Sequence, residues 1–200
     1  MSTTIALENG LIFDLSPLVA KVSPEEFVKL CRQNPELRIE RTSEGDLIVM
    51  APTGGKTGIR NAKLILCFGT WSQNDNSGQF FDSSTVFALP NGAQRMPDLC
   101  WIRNDRWDSL TTDQQEQFPP LCPDFVVELR SKTDRLKTLQ AKMEEYIANE
   151  AQLGWLIDPL ERKVHVYRPA AEAEVLEDPE IVSGEPLLKG FVLDVRILWD

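Results

Sequence analysis

The sequence predicts an α/β fold: a central mixed sheet flanked by helices, with an extra N-terminal hairpin and further strands towards the C-terminal end. Two segments carry apolar residues at helical spacing, one with Ile59, Ala62, Leu66 and then Phe68 or Gly69, the other with Leu136, Leu139, Met143, Tyr146 and Ile147. Short runs rich in Val, Ile and Phe lie between and after them, the clearest being "PDFVVELRS" at 123–131, because β-branched and aromatic residues suit the pleated backbone. The middle of the chain therefore reads helix, strand, strand, strand, helix, strand.

"SPEEFVKLCRQNP" (23–35) opens with a Ser N-cap before Pro24, has acids in its first turn, and spaces Phe27, Leu30 and Cys31 as a helix of roughly ten residues would. "LRIERTSEGDLIVMAP" (37–52) alternates on both sides of "SEGD" and predicts a hairpin. A helix is expected over about 57–74, after the Gly-rich turn at 54–55. That turn lacks the Gly-Lys-Ser/Thr of a nucleotide-binding loop. Two strands, about 79–88 and 98–103, flank the turn "PNGA", and 104–120 reads as a polar loop with one helical turn. Strand 124–130 and helix 133–151 follow. "LGWLIDP" and "KVHVYRP" form a strand pair, and the acidic, Pro-punctuated stretch from 170 predicts a surface meander of short strands. No repeat or interior linker breaks the chain, so one domain is expected over 1–200, with its core at about 24–169 and an acidic extension at 170–200.

The 200 residues suffice for one real core. No stretch approaches the ~20 apolar residues of a membrane span, and "MSTTIALENG" lacks the basic start and apolar run of a signal peptide. Cys31, Cys67, Cys100 and Cys122 have no CxxC spacing and are expected as reduced core thiols. A cytoplasmic protein without a membrane partner is expected. His165 is the only histidine, so a His-based catalytic triad or His-rich metal site is excluded; an edge or surface role is expected for it. The net charge of −10 argues against a nucleic-acid partner until its distribution is considered. Residues 144–200 hold 13 acids and 5 bases, whereas 51–143 hold 10 and 11. Arg130, Lys132, Arg135, Lys137 and Lys142 stand against Asp134 alone within 130–142.

Side chains alternate across a strand, so Asp124, Val126, Glu128 and Arg130 share one face. Asp98 opens the preceding strand, and Lys142 and Tyr146 lie one turn apart on the following helix. Two carboxylates on adjacent strands can hold a hard divalent ion through oxygen, with Mg²⁺ usual where phosphate is the substrate. A nearby ammonium can orient water or stabilise developing charge. A carboxylate flanked by Val126, Val127 and Leu129 is costly to bury alone, so Glu128 needs a metal or a cationic partner such as Arg130. Asp124, a strand-opening acid after Pro123, suits a structural role better than a functional one. Lys142 equally suits an exposed pair with Glu144 or Glu145.

"PD" at 97–98, "ELR" at 128–130 and "KMEEY" on the next helix resemble the PD-(D/E)XK nuclease superfamily. More closely, "APTGGKTGIRN", "FDSSTVFALPNG", "RMPDLCWI", "PDFVVELRS", "LQAKMEEYI" and "LGWLIDP", in this order over about 24–169, resemble the Uma-two family of restriction-endonuclease-like proteins. The resemblance implies a restriction-endonuclease-like fold and Mg²⁺-dependent cleavage of DNA, with Mn²⁺ as a substitute. It assigns Asp98 and Glu128 as metal ligands and Glu40 as an accessory acid, and it puts Tyr146 in a helix motif. The superfamily's lysine position holds Arg130, whose guanidinium cannot act as a general base but can clamp phosphate. Lys142 is then expected to supply the migrated lysine. Double-strand cleavage would need two sites, and a homodimer is the expected arrangement. The competing class is a non-catalytic nuclease fold that binds nucleic acid or a protein.

Overall fold

The computed structural model describes residues 4–6, 12–14 and 21–199. Most of the leader reading at 1–10 falls outside the described residues. The chain begins with strands β1 (Thr4–Ala6) and β2 (Ile12–Asp14), then α1 (Pro24–Gln33), β3 (Ile39–Arg41), β4 (Leu47–Val49) and α2 (Gly55–Asp75). Next come β5 (Gly78–Asp82), β6 (Phe87–Ala88), β7 (Gln94–Arg95), β8 (Leu99–Arg103), α3 (Asn104–Trp107) and α4 (Thr112–Glu116). The remainder is β9 (Phe125–Leu129), α5 (Leu136–Ala148), β10 (Leu153–Asp158), β11 (Lys163–Tyr167), β12 (Glu174–Glu177), β13 (Ile181–Ser183), β14 (Val192–Asp194) and a 3-10 turn at Val195–Leu198.

A six-stranded mixed sheet in the order β12-β11-β10-β9-β8-β5 forms the centre. Only β9 and β10 run parallel, because α5 carries the chain back across the sheet between them. Both faces of β9 are therefore covered, and all five of its residues are buried. On one face, Leu64 and Phe68 of α2 pack against Trp101, Phe125, Val127 and Trp155. On the other, Met143 and Tyr146 of α5 cover Cys100, Val126 and Leu156. A four-stranded antiparallel sheet, β4-β3-β7-β6, lies beside it with Phe27 of α1 packed on Ile39, Val86 and Met96. Ser23 caps α1 through a reciprocal pair with Glu26, as the sequence predicts.

Several expectations differ in detail. The single strand predicted over 79–88 is two, one in each sheet. Asp82 breaks it by accepting from the Ser84 N–H and hydroxyl, a local turn that competes with strand pairing. The polar loop contains two short helices, the second capped by Thr111 and Gln114. The C-terminal meander is not confined to the surface: Leu188, Phe191, Leu193, Val195 and Leu198 are part of the main core. His165 is buried within β11 rather than exposed, with β12 paired along its outer side. All four cysteines are free, and Cys100 and Cys122 are buried. No helix among the described residues is long and apolar enough to cross a membrane.

Gly78 starts β5 where the backbone touches its neighbour. A β-carbon there would fall well inside contact distance of the Ile102 carbonyl oxygen and the Trp101 indole. Gly78→Ala is expected to destabilise the fold by about 2–3 kcal/mol, since the obstructing carbonyl belongs to a sheet and cannot move aside. Urea denaturation checks this.

Candidate active site

A cleft of about 1210 Å³ opens between the two sheets and the ends of α2 and α5, and its walls include Glu40, Asp98, Glu128 and Lys142. Four elements bring these residues together. Asp98 follows Pro97 at the threshold of β8, and its Oδ2 accepts from the Leu129 N–H at 2.8 Å. That bond ties the first acid to the strand bearing the second. Glu128 projects from β9 towards α5, where Lys142 Nζ approaches its Oε1 at 2.8 Å and the Tyr146 hydroxyl donates to the same oxygen at 3.1 Å. Lys142 Nζ also lies 2.7 Å from Glu40 Oε1, on β3 of the smaller sheet.

Arg95 and Glu145 extend the cluster, and sequence reasoning missed both as site residues. Arg95 Nη1 lies 3.2 Å from Glu40 Oε2, and its Nε lies 2.6 Å from Glu145 Oε2. Arg95 stands three positions before Asp98 in a run, Ala93-Gln94-Arg95-Met96, that shows no alternation to mark it. Glu145 reads as an exposed helical neighbour of Lys142; the structure instead turns it to Arg95 in a half-buried position.

The electrostatics follow from burial and charge imbalance. Four carboxylates (Glu40, Asp98, Glu128, Glu145) face two cations (Arg95, Lys142). The fully ionised cluster therefore carries two uncompensated negative charges. Arg38 and Asp134 also act on Asp98, with opposite signs. Burial raises the Asp98 carboxyl above its ordinary value, only partly opposed by the Leu129 N–H. Burial, with Asp98 and Glu40 nearby, pushes Glu128 up to about 8 despite Lys142. Burial would also raise Glu40, but Lys142 and Arg95 outweigh it and hold this carboxylate ionised. Burial alone would lower Lys142, yet Glu128 and Glu40 hold it above its ordinary value. Its ammonium form is thereby favoured. Tyr146, pushed far up by burial, stays protonated and donates.

Among the described residues no group of three or more His, Cys, Asp and Glu side chains is arranged to hold a metal ion, so any ion here would rest on two carboxylates and water. Asp98 and Glu128 offer carboxylate oxygens, and the charge shortfall equals that of a divalent ion. Among the described residues no hydrogen bond reaches Asp98 Oδ1 or Glu128 Oε2. Without added charge, the raised carboxyls take up protons instead. In EDTA-treated protein the folded state binds a proton at Glu128 that the unfolded chain releases near pH 4.5. Stability is therefore expected to fall as pH rises from about 5 to about 8. Glu128→Gln removes much of that slope; urea denaturation at pH 5.5 and 8 reads it.

The remaining sequence candidates lie elsewhere. Asp124, at the other end of β9, accepts from the Arg103 N–H at 3.0 Å and pairs with Arg106 at 3.1 Å, anchoring β9 to β8 and α3. Arg130 turns to Asp158 at 2.5 Å and Glu161 at 3.5 Å and is not on the cleft wall, so its expected phosphate contact has no support from this placement. Asp158, fully buried at the end of β10, draws the guanidinium away. The shared face of Asp124, Val126, Glu128 and Arg130 thus serves an anchor, a packing contact with α5, the cleft, and a second anchor in turn. Lys56, Lys132 and Lys137 do line the cleft, exposed, and among the described residues none of them is ion-paired.

A family model described as Uma2, putative restriction endonuclease, matches residues 24–196. The crystal structure of a putative nuclease belonging to DUF820 from Anabaena variabilis ATCC 29413 superposes with a TM-score of 0.75. It covers 89% of this chain and 97% of its own, at 21% identity. That likeness establishes the fold. No curated protein matches the chain.

Proposed function

From the premise that this chain belongs to the Uma2 family of restriction-endonuclease-like proteins, we propose that it is a metal-dependent endonuclease hydrolysing DNA phosphodiester bonds in the cytoplasm. Asp98 and Glu128 hold Mg²⁺, with Mn²⁺ as a substitute, and Lys142 is the migrated lysine of the site. The observation that carries this reading is a cleft in which four carboxylates face two cations, with Lys56, Lys132 and Lys137 exposed on its walls. A purely structural network would be expected to balance itself, since burying unpaired charge is costly.

When bound, the ion supplies positive charge that polarises a phosphoryl oxygen. The chain's own residues do the rest. Lys56, Lys132 and Lys137 take backbone phosphates on either side of the reacting one, which positions the strand without reading its sequence. Lys142, its ammonium form favoured between Glu40 and Glu128, presents its charge to the attacking water or to the phosphoryl oxygens, where negative charge accumulates during displacement. Tyr146 holds Glu128 in one orientation by its hydroxyl donation. The half-buried position of Asp98 and the buried one of Glu128 limit competing water.

The non-catalytic alternative draws on one observation: Lys142 is already shared by two carboxylates. Incubating supercoiled plasmid with the protein and Mg²⁺ or Mn²⁺, and measuring binding in Ca²⁺, separates the two readings. Nicked or linear product dependent on Mg²⁺ or Mn²⁺ is expected; binding without cleavage in every metal gives the lead to the alternative. Cleavage of both strands needs two sites, so a two-fold dimer is the proposed working form. Light scattering is expected to give twice the chain mass, and a monomer at working concentration restricts the product to nicks.

A further inference from the structure

The guanidinium of Arg95 joins the two elements that carry Lys142 and its counter-ion, although it touches neither Lys142 nor Glu128. Its Nε holds Glu145, one turn along α5 from Lys142, and its Nη1 holds Glu40 Oε2. The other oxygen of Glu40 accepts from the Met96 N–H at 2.8 Å and meets Lys142 at 2.7 Å. Glu40 is thus fixed by partners from two successive residues, Arg95 and Met96, and its Oε1 is the nearest of the three partners of Lys142 Nζ, the others being Glu128 Oε1 at 2.8 Å and the Met96 carbonyl at 3.5 Å. Arg95 is buried, so its two bonds are made away from bulk water, where charge-assisted contacts are strongest.

We infer that Arg95 is a positioning residue: by clamping Glu40 to Glu145 it holds the Lys142 ammonium midway between Glu40 and Glu128, aimed into the cleft. The inference rests on the nuclease reading for its kinetic consequence but not for its structural one. A flexible four-carbon stem has many rotamers, and a misplacement of about 1 Å of a charge-stabilising group costs about 10²-fold in rate. Without the guanidinium, Glu40 and Glu145 repel, Glu40 swings, and Lys142 follows the carboxylate that moves.

A plainly structural arginine, one that only stitches β7 to α5, would behave differently. Asn91 supplies the comparison, since its side chain bonds Glu145 from the turn preceding β7, and its bonds do not include Glu40 or Lys142. The test is made on full-length protein with ¹⁵N-labelled lysine, free of metal, together with steady-state plasmid cleavage in Mg²⁺. Wild type is expected to show a slowly exchanging Lys142 ammonium resonance, assigned by its loss in Lys142→Met. Arg95→Gln is expected to lose that resonance and to lower kcat about 10²-fold with KM within about twofold. Arg95→Lys, which can reach one carboxylate but not both, is expected to fall between, about tenfold down. Asn91→Ala is expected to keep the resonance and kcat even if it melts earlier.

Retention of the Lys142 resonance in Arg95→Gln, or kcat within twofold of wild type, overturns the inference. Should Arg95→Gln fail to fold, Arg95→Lys decides: wild-type resonance and kcat overturn it, and a broadened resonance with reduced kcat supports it. If wild type cuts nothing, the resonance alone decides. Its loss in Arg95→Gln with retention in Asn91→Ala supports positioning while the nuclease reading falls.

Discussion

Asp98→Asn is expected to lower the rate of plasmid cleavage by about 10³-fold, the equivalent of about 4 kcal/mol of transition-state stabilisation, while the protein stays folded. The side chain keeps its size, and its amide oxygen can still accept from the Leu129 N–H. What it loses is the anionic oxygen that, with Glu128, would hold the divalent ion. Burial already disfavours the Asp98 charge, so the neutral variant is expected to melt no lower than wild type in EDTA. The signature is a stable protein that binds DNA and does not cut it. Cleavage at the wild-type rate, read by plasmid conversion at saturating Mg²⁺, would remove Asp98 from the site.

Lys142→Met combines a large kinetic effect with a large structural one. The ammonium is the direct partner of both Glu40 and Glu128, and all three side chains are nearly enclosed. Deleting one member of a buried ion cluster leaves charge without compensation, at a typical cost of about 3–5 kcal/mol. Glu40, held ionised chiefly by Lys142, is expected to rise without it and to take up a proton as the pH falls, so part of that cost is recovered in acid. Thermal melting is therefore expected to show a deficit for Lys142→Met that shrinks towards pH 5.5, in contrast to Asp98→Asn. In the cleavage assay kcat is expected to fall by about 10²–10³-fold, as for loss of one preorganised charge-stabilising donor, with DNA binding in Ca²⁺ changed far less. Equal losses in binding and in rate would make Lys142 a general electrostatic contact.

The two sheets were unequally legible in the sequence. Strand β9 and helix α5 stand out because a buried parallel strand is apolar on both faces and a covering helix repeats its apolar face every 3 or 4 residues. Asp98, Glu128, Lys142 and Tyr146 are interpretable against that background, since a charge within an apolar pattern needs a partner. The smaller sheet is built from two- and three-residue strands, too short for alternation to register, so the two parts of the strand read over 79–88 could not be assigned to separate sheets. Arg95 was missed for the same reason: it sits on a two-residue strand and finds its partners 55 residues back and 50 residues on. Arg130 shows the opposite failure. Its spacing from Glu128 was clear, but the buried Asp158 that redirects it lies 28 residues away on a neighbouring strand. The acidic C-terminal stretch looked peripheral by composition. Its Leu188, Phe191 and Leu193 nonetheless complete the main core, because a few spaced apolar residues suffice to seal one side of a sheet.

Titration of Mn²⁺ into EDTA-treated protein, followed by electron paramagnetic resonance at pH 7.5, tests the proposed metal site most directly and does not depend on finding the right DNA. The expected result is one bound ion per chain in wild type, accompanied by proton release as Glu128 ionises, and no such site in Asp98→Asn or Glu128→Gln. Wild-type protein that binds no ion stoichiometrically, or an Asp98→Asn variant that binds it as well as wild type does, would contradict the assignment of these two carboxylates.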